Sequence, residues 1–170
     1  MHINNLSSKK IYISILIITL SWNLVILISP LLLSLGGFYA RIGNFIYFFF
    51  SVTCHQFDER SFHLLGFKFA VCSRCISVYL AFLLSVILYP LFYKLENKKL
   101  PSLLFLIIPV MLLILDVFSE ILGIFRNSFL TRSITGALIG FVLPFYLIPG
   151  FINFFNELYL YFIKNYGRKK

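Results

Sequence analysis

The sequence predicts an all-α integral membrane protein, a bundle of about four transmembrane helices, on three observations. Hydrophobic residues make up 60% of its 170 residues and charged residues only 12%, whereas soluble domains carry about a quarter charged residues. The mean hydropathy is +0.93. Several apolar runs also reach the roughly 20 residues that a helix needs to cross a bilayer. We therefore expect residues 1–170 to form a single membrane domain.

Four apolar runs define the predicted transmembrane helices. The first run exceeds the roughly 7–15 residues of a signal-peptide core, so we expect a retained helix. Asp116 and Glu120 interrupt the third run, and Pro144 and Pro149 interrupt the fourth. We place the four spans at about residues 11–35, 76–94, 102–123 and 133–150.

Two shorter helices are predicted outside the spans. The apolar core of the segment before Cys54, residues 45–50, is too short to cross a bilayer, so we expect an interfacial helix there. Residues 151–166 place apolar side chains in a helical stripe, which predicts an amphipathic C-terminal helix on the membrane surface. The pair Pro149-Gly150 predicts a break between this tail and the fourth span.

Gly136 and Gly140 lie four residues apart in the fourth span, and therefore on one face of that helix. A small residue at both positions permits the close approach of a second helix. The partner helix belongs either to this chain or to a second copy, and the oligomeric state stays open.

The net charge of +9 indicates orientation in a membrane rather than nucleic-acid binding. Basic residues concentrate on the cytoplasmic side of membrane proteins. We predict a multi-pass protein of the cell membrane with cytoplasmic N- and C-termini, the lipid bilayer as partner and no nucleic acid. The nine basic residues of the inner side are Lys9, Lys10, Lys94, Lys98, Lys99, Lys164, Arg168, Lys169 and Lys170, and the six of the outer side are Arg41, Arg60, Lys68, Arg74, Arg126 and Arg132.

Soft metal ligands gather in the predicted outer loop, which contains all three cysteines and two of the three histidines. The spacing of Cys72-x-x-Cys75 lets both sulfurs reach one zinc ion, or each other. Cys54 supplies a third sulfur, and His55 or His63 supplies a nitrogen that would complete a tetrahedral site. We take Cys54, His55, Cys72 and Cys75 as candidate metal ligands and zinc as the candidate cofactor.

Two other interpretations of this Cys/His loop, residues 54–75, stay open. One is a quinone-linked thiol oxidoreductase, because a helix N-terminus and Arg74 would favour the thiolate form of Cys72 or Cys75. The other is a metal knot or a disulfide that only staples the loop to the second helix, as in a non-enzymatic accessory protein. The metal content and the free-thiol count of the purified protein would distinguish the three.

Asp116 and Glu120 lie one helical turn apart in the third span. Ionisable residues inside a span are costly and often mark functional sites. Together with His63 they are candidates for general acid–base catalysis. The two carboxylates could instead orient a ligating histidine or form ion pairs within the bundle, so whether the protein is an enzyme stays open.

Four arginines on the predicted outer side, Arg60, Arg74, Arg126 and Arg132, are candidates for ligand binding. Guanidinium groups match the oxygens of phosphate and carboxylate groups. If these arginines converge beside the thiols, they form a pocket for an anionic, lipid-like ligand such as a lipid headgroup. The alternative is that each arginine only snorkels to the interface or pairs with a neighbouring carboxylate.

Residues 41–140 contain a specific combination of short motifs. They are Cys54-His55-Gln56, Glu59-Arg60-Ser61-Phe62, Cys72-Ser73-Arg74-Cys75, Tyr79, Asp116 and Arg132-Ser133-Ile134-Thr135-Gly136. This combination resembles the signature of a family of predicted prokaryotic membrane proteins of unknown function. The chain departs from that signature at Ile76-Ser77, where Thr-Gly is expected, and at Ala70, where proline is usual. The resemblance implies a shared outer site and assigns no reaction to it.

Overall fold

The computed structural model describes residues 3–95 and 100–167, and the side chains of residues 8–95 and 100–161. The helices are α1 (Ile3–Leu35), α2 (Gly37–Ser51), α3 (Ser73–Phe92), α4 (Leu104–Ile121), α5 (Phe129–Val142) and α6 (Pro144–Gly167). Between α2 and α3 lie a short 3-10 helix, Asp58–Arg60, and an antiparallel hairpin of β1 (His63–Leu64) and β2 (Phe67–Lys68). The predicted all-α fold class is confirmed.

Within residues 3–95 and 100–167, four helical segments are long and apolar enough to cross a membrane, which confirms the predicted membrane bundle. They are Ser8–Leu35, Ser73–Phe92, Leu104–Ile121 and Phe129–Tyr161, the last of which joins α5 and α6. Four crossings would return the chain to the side on which α1 begins. Which side is cytoplasmic stays a prediction, which rests partly on residues outside the described part of the chain, namely Glu96, Lys98, Lys99, Arg168, Lys169 and Lys170.

The helix α3 lies at the centre of the bundle, between α1 and α5. It runs antiparallel to α1, because Asn23 Nδ2 donates to the carbonyl of Tyr79 (3.2 Å) and the Tyr12 hydroxyl donates to the carbonyl of Val86 (2.9 Å). On its other side, Gly136 and Gly140 of α5 are buried against the backbone of α3. The small face predicted in the fourth span therefore packs within the chain.

The short helix predicted before Cys54 is present as α2, which folds back along the second half of α1. Gly36 and Gly37 turn the chain with φ of 71° and 53°, values that glycine adopts without steric cost. The backbone of Gly43 then lies against Leu33, and the ring of Phe50 meets that of Trp22 at a centroid distance of 5.0 Å. At 15 residues, or about 22 Å, α2 is too short to cross the bilayer.

The helix break predicted at Pro149-Gly150 lies instead at Leu143, between α5 and α6. The backbone N–H of Leu143 still bonds to the carbonyl of Ile139 (3.1 Å), and the helix restarts at Pro144, a first position that needs no donor. It then continues through Pro149, because prolines inside membrane spans are tolerated where neighbouring helices support the backbone. Residues 151–166, predicted as a separate tail, are therefore part of α6.

Candidate metal centre and arginine cavity

Cys54 enters the site from the end of α2. Its backbone N–H bonds to the carbonyl of Phe50 (2.9 Å), which continues the helical turn by one step. The residue is only 5% exposed and belongs to a buried cluster with Ile26, Val71 and Ile76. The first sulfur is thus held in dry, apolar surroundings beside α1.

The loop from Cys54 to Cys72 is closed by a hairpin and by the side chain of Gln56. Leu65 and Gly66, with φ of 54° and 82°, form the two-residue turn between β1 and β2, as primed hairpin turns require. Gln56 Nε2 donates to the carbonyls of Tyr47 and Ala70, both at 2.7 Å. The sequence motif contained Gln56 but suggested no role for it. In the structure its side chain joins α2 to Ala70, two residues after the end of β2.

The three cysteine sulfurs converge at the N-terminus of α3. Their Sγ atoms all lie within 4.8 Å of one another, and all three cysteines are free. Sulfurs bound to one zinc ion at about 2.3 Å and at tetrahedral angles are separated by roughly 3.8 Å. The backbone N–H of Cys72 also donates to Cys54 Sγ (3.2 Å). The donor set and its spacing therefore fit a soft metal ion held by three thiolates.

Two features favour the thiolate form at this position. The Cys54 side chain, and then the Cys75 side chain, hydrogen-bond to the Cys72 sulfur and lower the pKa of the Cys72 thiol well below its ordinary value. Cys72 is also the N-cap of α3, where the free N–H groups of the first turn stabilise negative charge. A deprotonated sulfur is the form that binds metal.

Neither candidate histidine lies with the sulfurs. The His55 ring stacks on Phe57 at a centroid distance of 5.7 Å, and His63 Nε2 lies 3.1 Å from Asp58 Oδ1 on the exposed hairpin. Among the described residues, the group of metal-ligand atoms within 4.8 Å contains the three sulfurs alone. A local partner therefore holds each ring, and the metal role of His55 and the catalytic role of His63 stay predictions.

Asp116 is the partner of the arginine between the two helical cysteines. Its Oδ2 accepts hydrogen bonds from Arg74 Nη2 and from Thr135 Oγ1, the latter at 3.2 Å. Its backbone carbonyl accepts from Asn127 Nδ2 (2.7 Å). Asp116 thus joins the first turn of α3 to α4 and α5, and Thr135 and Asn127 are partners that the sequence did not single out.

Glu120, one turn further along α4, is shared by two arginines. Its Oε1 accepts from Arg132 Nη2 and lies 3.2 Å from Arg60 Nη2, while Asn127 Nδ2 donates to Oε2 (3.3 Å). Both carboxylates of the third span therefore form ion pairs within the bundle. The proposed acid–base role of Asp116 and Glu120 stays a prediction.

Three of the four candidate arginines line one cavity of about 410 Å³ at the ends of α4 and α5. Arg74 is the exception, since its guanidinium faces Asp116. Arg132 is 7% exposed, whereas Arg126 is exposed and has no ion-pair partner among the described residues. The cavity is lined by Glu59, Arg60, Glu120, Arg126, Asn127, Ser128, Phe129 and Arg132.

Comparison with known proteins places both features in one family. Residues 54–162 match the family described as "Predicted membrane protein (DUF2085)". An uncharacterized protein of Methanocaldococcus jannaschii is 36% identical over 146 residues, which are 84% of this chain and 94% of that protein.

A second uncharacterized protein, from Methanothermobacter thermautotrophicus, is 33% identical over 90 residues, which are 51% of this chain and 77% of that protein. No solved structure matches the chain. The family match contains the three cysteines and all the residues that line the cavity. The resemblance seen in the sequence is confirmed, and the chain belongs to the DUF2085 family of predicted membrane proteins.

Proposed function

We propose that this protein is a membrane metalloprotein in which a zinc-type centre supports an adjoining site for an anionic, lipid-like ligand. The observation that carries the proposal is the convergence of Cys54, Cys72 and Cys75, whose sulfurs lie within 4.8 Å of one another although the chain between them is a long loop. One buried and two half-buried free thiols brought this close together form a set of soft ligands that a bound soft cation would stabilise.

Three sulfurs leave one position of a tetrahedral ion for water, a histidine or a ligand. When bound there, zinc would supply a Lewis acid and a fixed positive charge. The protein's own contribution lies at the start of α3, where the Cys72 backbone N–H donates to Cys54 Sγ and the helix dipole favours negative charge on Cys72. We retain the orientation predicted from the charge distribution, which places the centre on the outer side of the cell membrane.

The arginine cavity supports the second half of the proposal. Arg60, Arg126 and Arg132 line it together, and guanidinium groups are suited to phosphate and carboxylate oxygens. The carboxylates that line it, Glu59 and Glu120, already have arginine partners. An anionic group is therefore the ligand class that this surface favours.

The test is the metal content of the purified full-length protein. We expect about one zinc per chain by elemental mass spectrometry, and loss of that zinc in a Cys72→Ser variant that keeps its helical circular dichroism. Ser51→Ala, an exposed change at the end of α2, is the control and should retain the metal. Metal-free protein in which the thiols are lost as a Cys72–Cys75 disulfide would overturn the proposal.

That disulfide outcome defines the second candidate function, a thiol oxidoreductase. The observation that favours it is the placement of Cys72 and Cys75 one turn apart at a helix N-terminus, with sulfurs within 4.8 Å. Oxidation of the two thiols would form one S–S bond and pass two electrons and two protons to a quinone-class acceptor, giving the quinol. A third outcome is a protein that contains metal but binds no lipid. That outcome would indicate an accessory protein in which the metal centre is only structural.

A further inference from the structure

We infer that the arginine cavity binds a phosphate diester, the singly charged headgroup linkage of a phospholipid, in preference to a phosphate monoester or free phosphate. The inference rests on the anionic site of the proposed function and specifies its ligand. It depends on the charges that line the cavity, on an unpartnered buried donor and on the apolar residues beside the cavity.

The charges of the cavity leave room for one negative charge. Three arginines and two glutamates line it. Glu120 lies 3.2 Å from Arg60 and accepts a bond from Arg132, and Glu59 lies 3.7 Å from Arg60. Arg126 alone has no carboxylate partner among the described residues, so one positive charge is uncompensated. A ligand with two negative charges would leave one of them uncompensated. That charge would be repelled by Glu59 and Glu120, which line the same cavity.

A buried donor in the cavity wall lacks an acceptor. Arg132 is 7% exposed, and its Nη2 donates to Glu120. Its Nε is buried and has no hydrogen-bond partner among the described residues. An unpaired buried N–H costs free energy that a ligand oxygen would recover. A shift of the Arg132 side chain would expose Nε to one non-bridging oxygen of a diester, and the other oxygen would bind Arg126.

The start of α5 adds to the same preference. Ser128 is the N-cap of this 14-residue helix, and its hydroxyl oxygen accepts a hydrogen bond from the backbone N–H of Thr131 (3.2 Å). Ser128 and Phe129 both line the cavity, so the positive end of the helix dipole faces it. This end of α5 contributes only partial positive charge, so it stabilises an anion without favouring a dianion over a monoanion.

Apolar residues next to the cavity favour a lipid over a soluble phosphate. Phe125 and Leu130, the chain neighbours of two lining residues, are 72% and 68% exposed. Phe129 forms one wall and packs against Phe62 at a ring distance of 5.3 Å. A ligand whose headgroup enters the cavity can therefore keep its apolar chains in contact with protein and bilayer.

The test compares four probes on the purified, zinc-loaded full chain in detergent at pH 8, above the second pKa of a phosphate monoester at about 6. Phosphatidylglycerol, phosphatidic acid and phosphatidylcholine are each titrated by native mass spectrometry, with inorganic phosphate as competitor. We expect phosphatidylglycerol to bind at least tenfold more tightly than phosphatidic acid, which is a monoester. It should also bind more tightly than phosphatidylcholine, because the choline cation of that diester cancels the negative charge that Arg126 would attract. Inorganic phosphate should not displace it at equal concentration.

The matched variants are Arg126→Gln in the cavity and Arg41→Gln, an exposed arginine of α2 that does not line the cavity. We expect the first to weaken phosphatidylglycerol binding about tenfold with zinc retained, and the second to leave it unchanged. Equal or tighter binding of phosphatidic acid, or displacement by inorganic phosphate, would overturn the diester assignment while keeping the anionic site. If no anionic probe binds, the lipid half of the proposed function fails with it, whatever the zinc content.

Discussion

Arg74 donates to Asp116 from a position between the two cysteines of the first turn of α3. This pair links the candidate metal centre to α4. One turn further along α4, Glu120 pairs with two arginines of the cavity, Arg60 and Arg132. The sulfurs at the start of α3 and the arginines of the cavity are therefore connected through the two carboxylates of α4.

Asp116→Asn should lower the free energy of unfolding by about 2–3 kcal/mol, because removal of one partner from a largely buried ion pair leaves the other charge unpaired. The 23% exposure of the Arg74 side chain moderates the loss. Adding Arg74→Gln should recover part of it, since the unpaired cation is gone. Thermal unfolding in detergent measures both, with Glu157→Gln on the exposed part of α6 as control. Equal midpoints for Asp116→Asn and the control would contradict the role assigned to the pair.

Gly140→Ala should force α5 away from α3, because a Cβ at this position would overlap the carbonyl oxygen of Val78. We expect a loss of about 2 kcal/mol or more, in the range of overpacked core substitutions. Gly150→Ala is the matched control, since a Cβ there meets nothing within 4 Å, and it should be neutral or slightly stabilising. Unfolding midpoints of the two variants decide the matter. Indistinguishable midpoints would mean that the two helices can separate without cost.

Cys54→Ser should remove most of the bound zinc, because it deletes one of three sulfurs that lie together. His55→Ala and His63→Ala should each retain it, since these rings contact Phe57 and Asp58 rather than the sulfurs. Elemental analysis of the three purified variants, side by side, measures the effect. Zinc loss in either histidine variant would identify a fourth ligand that reaches the ion after the loop rearranges.

Gln56→Ala should loosen the loop that carries Cys54, because two hydrogen bonds of 2.7 Å that join α2 to Ala70 are lost. We expect roughly tenfold weaker zinc binding, the size of effect seen when groups that support metal ligands are removed. Hydrogen exchange of residues 57–70 should rise in parallel.

Gln56→Glu preserves the size of the side chain but cannot donate, so it should behave as Gln56→Ala does. Ser51→Ala, whose hydroxyl bonds only to the carbonyl of Phe48, should leave both measurements unchanged. Normal zinc affinity in Gln56→Glu would show that packing, rather than the donated bonds, positions the loop.

Composition and periodicity were sufficient to predict the bundle, because a membrane span depends on an apolar run of known length. The convergence of Cys72 and Cys75 was also predictable, since helical geometry alone brings residues three apart onto one side. That Cys54 would join them could only be assumed, because a long loop separates it from Cys72. Its position depends on the hydrogen bonds of Gln56 and on the fold-back of α2, and neither follows from local sequence pattern.

The partners of the charged residues could not be predicted from spacing. Arg74 and Asp116 are 42 positions apart and meet where α4 and the closely packed α5 lie beside the first turn of α3. The sequence predicts the helix break at Pro149, because proline generally weakens a helix, but the break lies at Leu143. Inside a membrane span, neighbouring helices support the backbone and let the helix continue through a proline. Tertiary packing, rather than sequence pattern, therefore decides these features.

The fold-back of α2 has a consequence for how an ion could reach or leave the sulfurs. Cys54 shares its buried cluster with Ile26, whereas α1 continues nine residues further to Leu35, about 14 Å along its axis. The exposed rings of Phe38, Phe45 and Phe48 cover the outside of this hairpin. We expect hydrophilic chelators to reach a bound ion from the side of the half-buried Cys72 and Cys75, and not past Cys54 and the hairpin of α1 and α2.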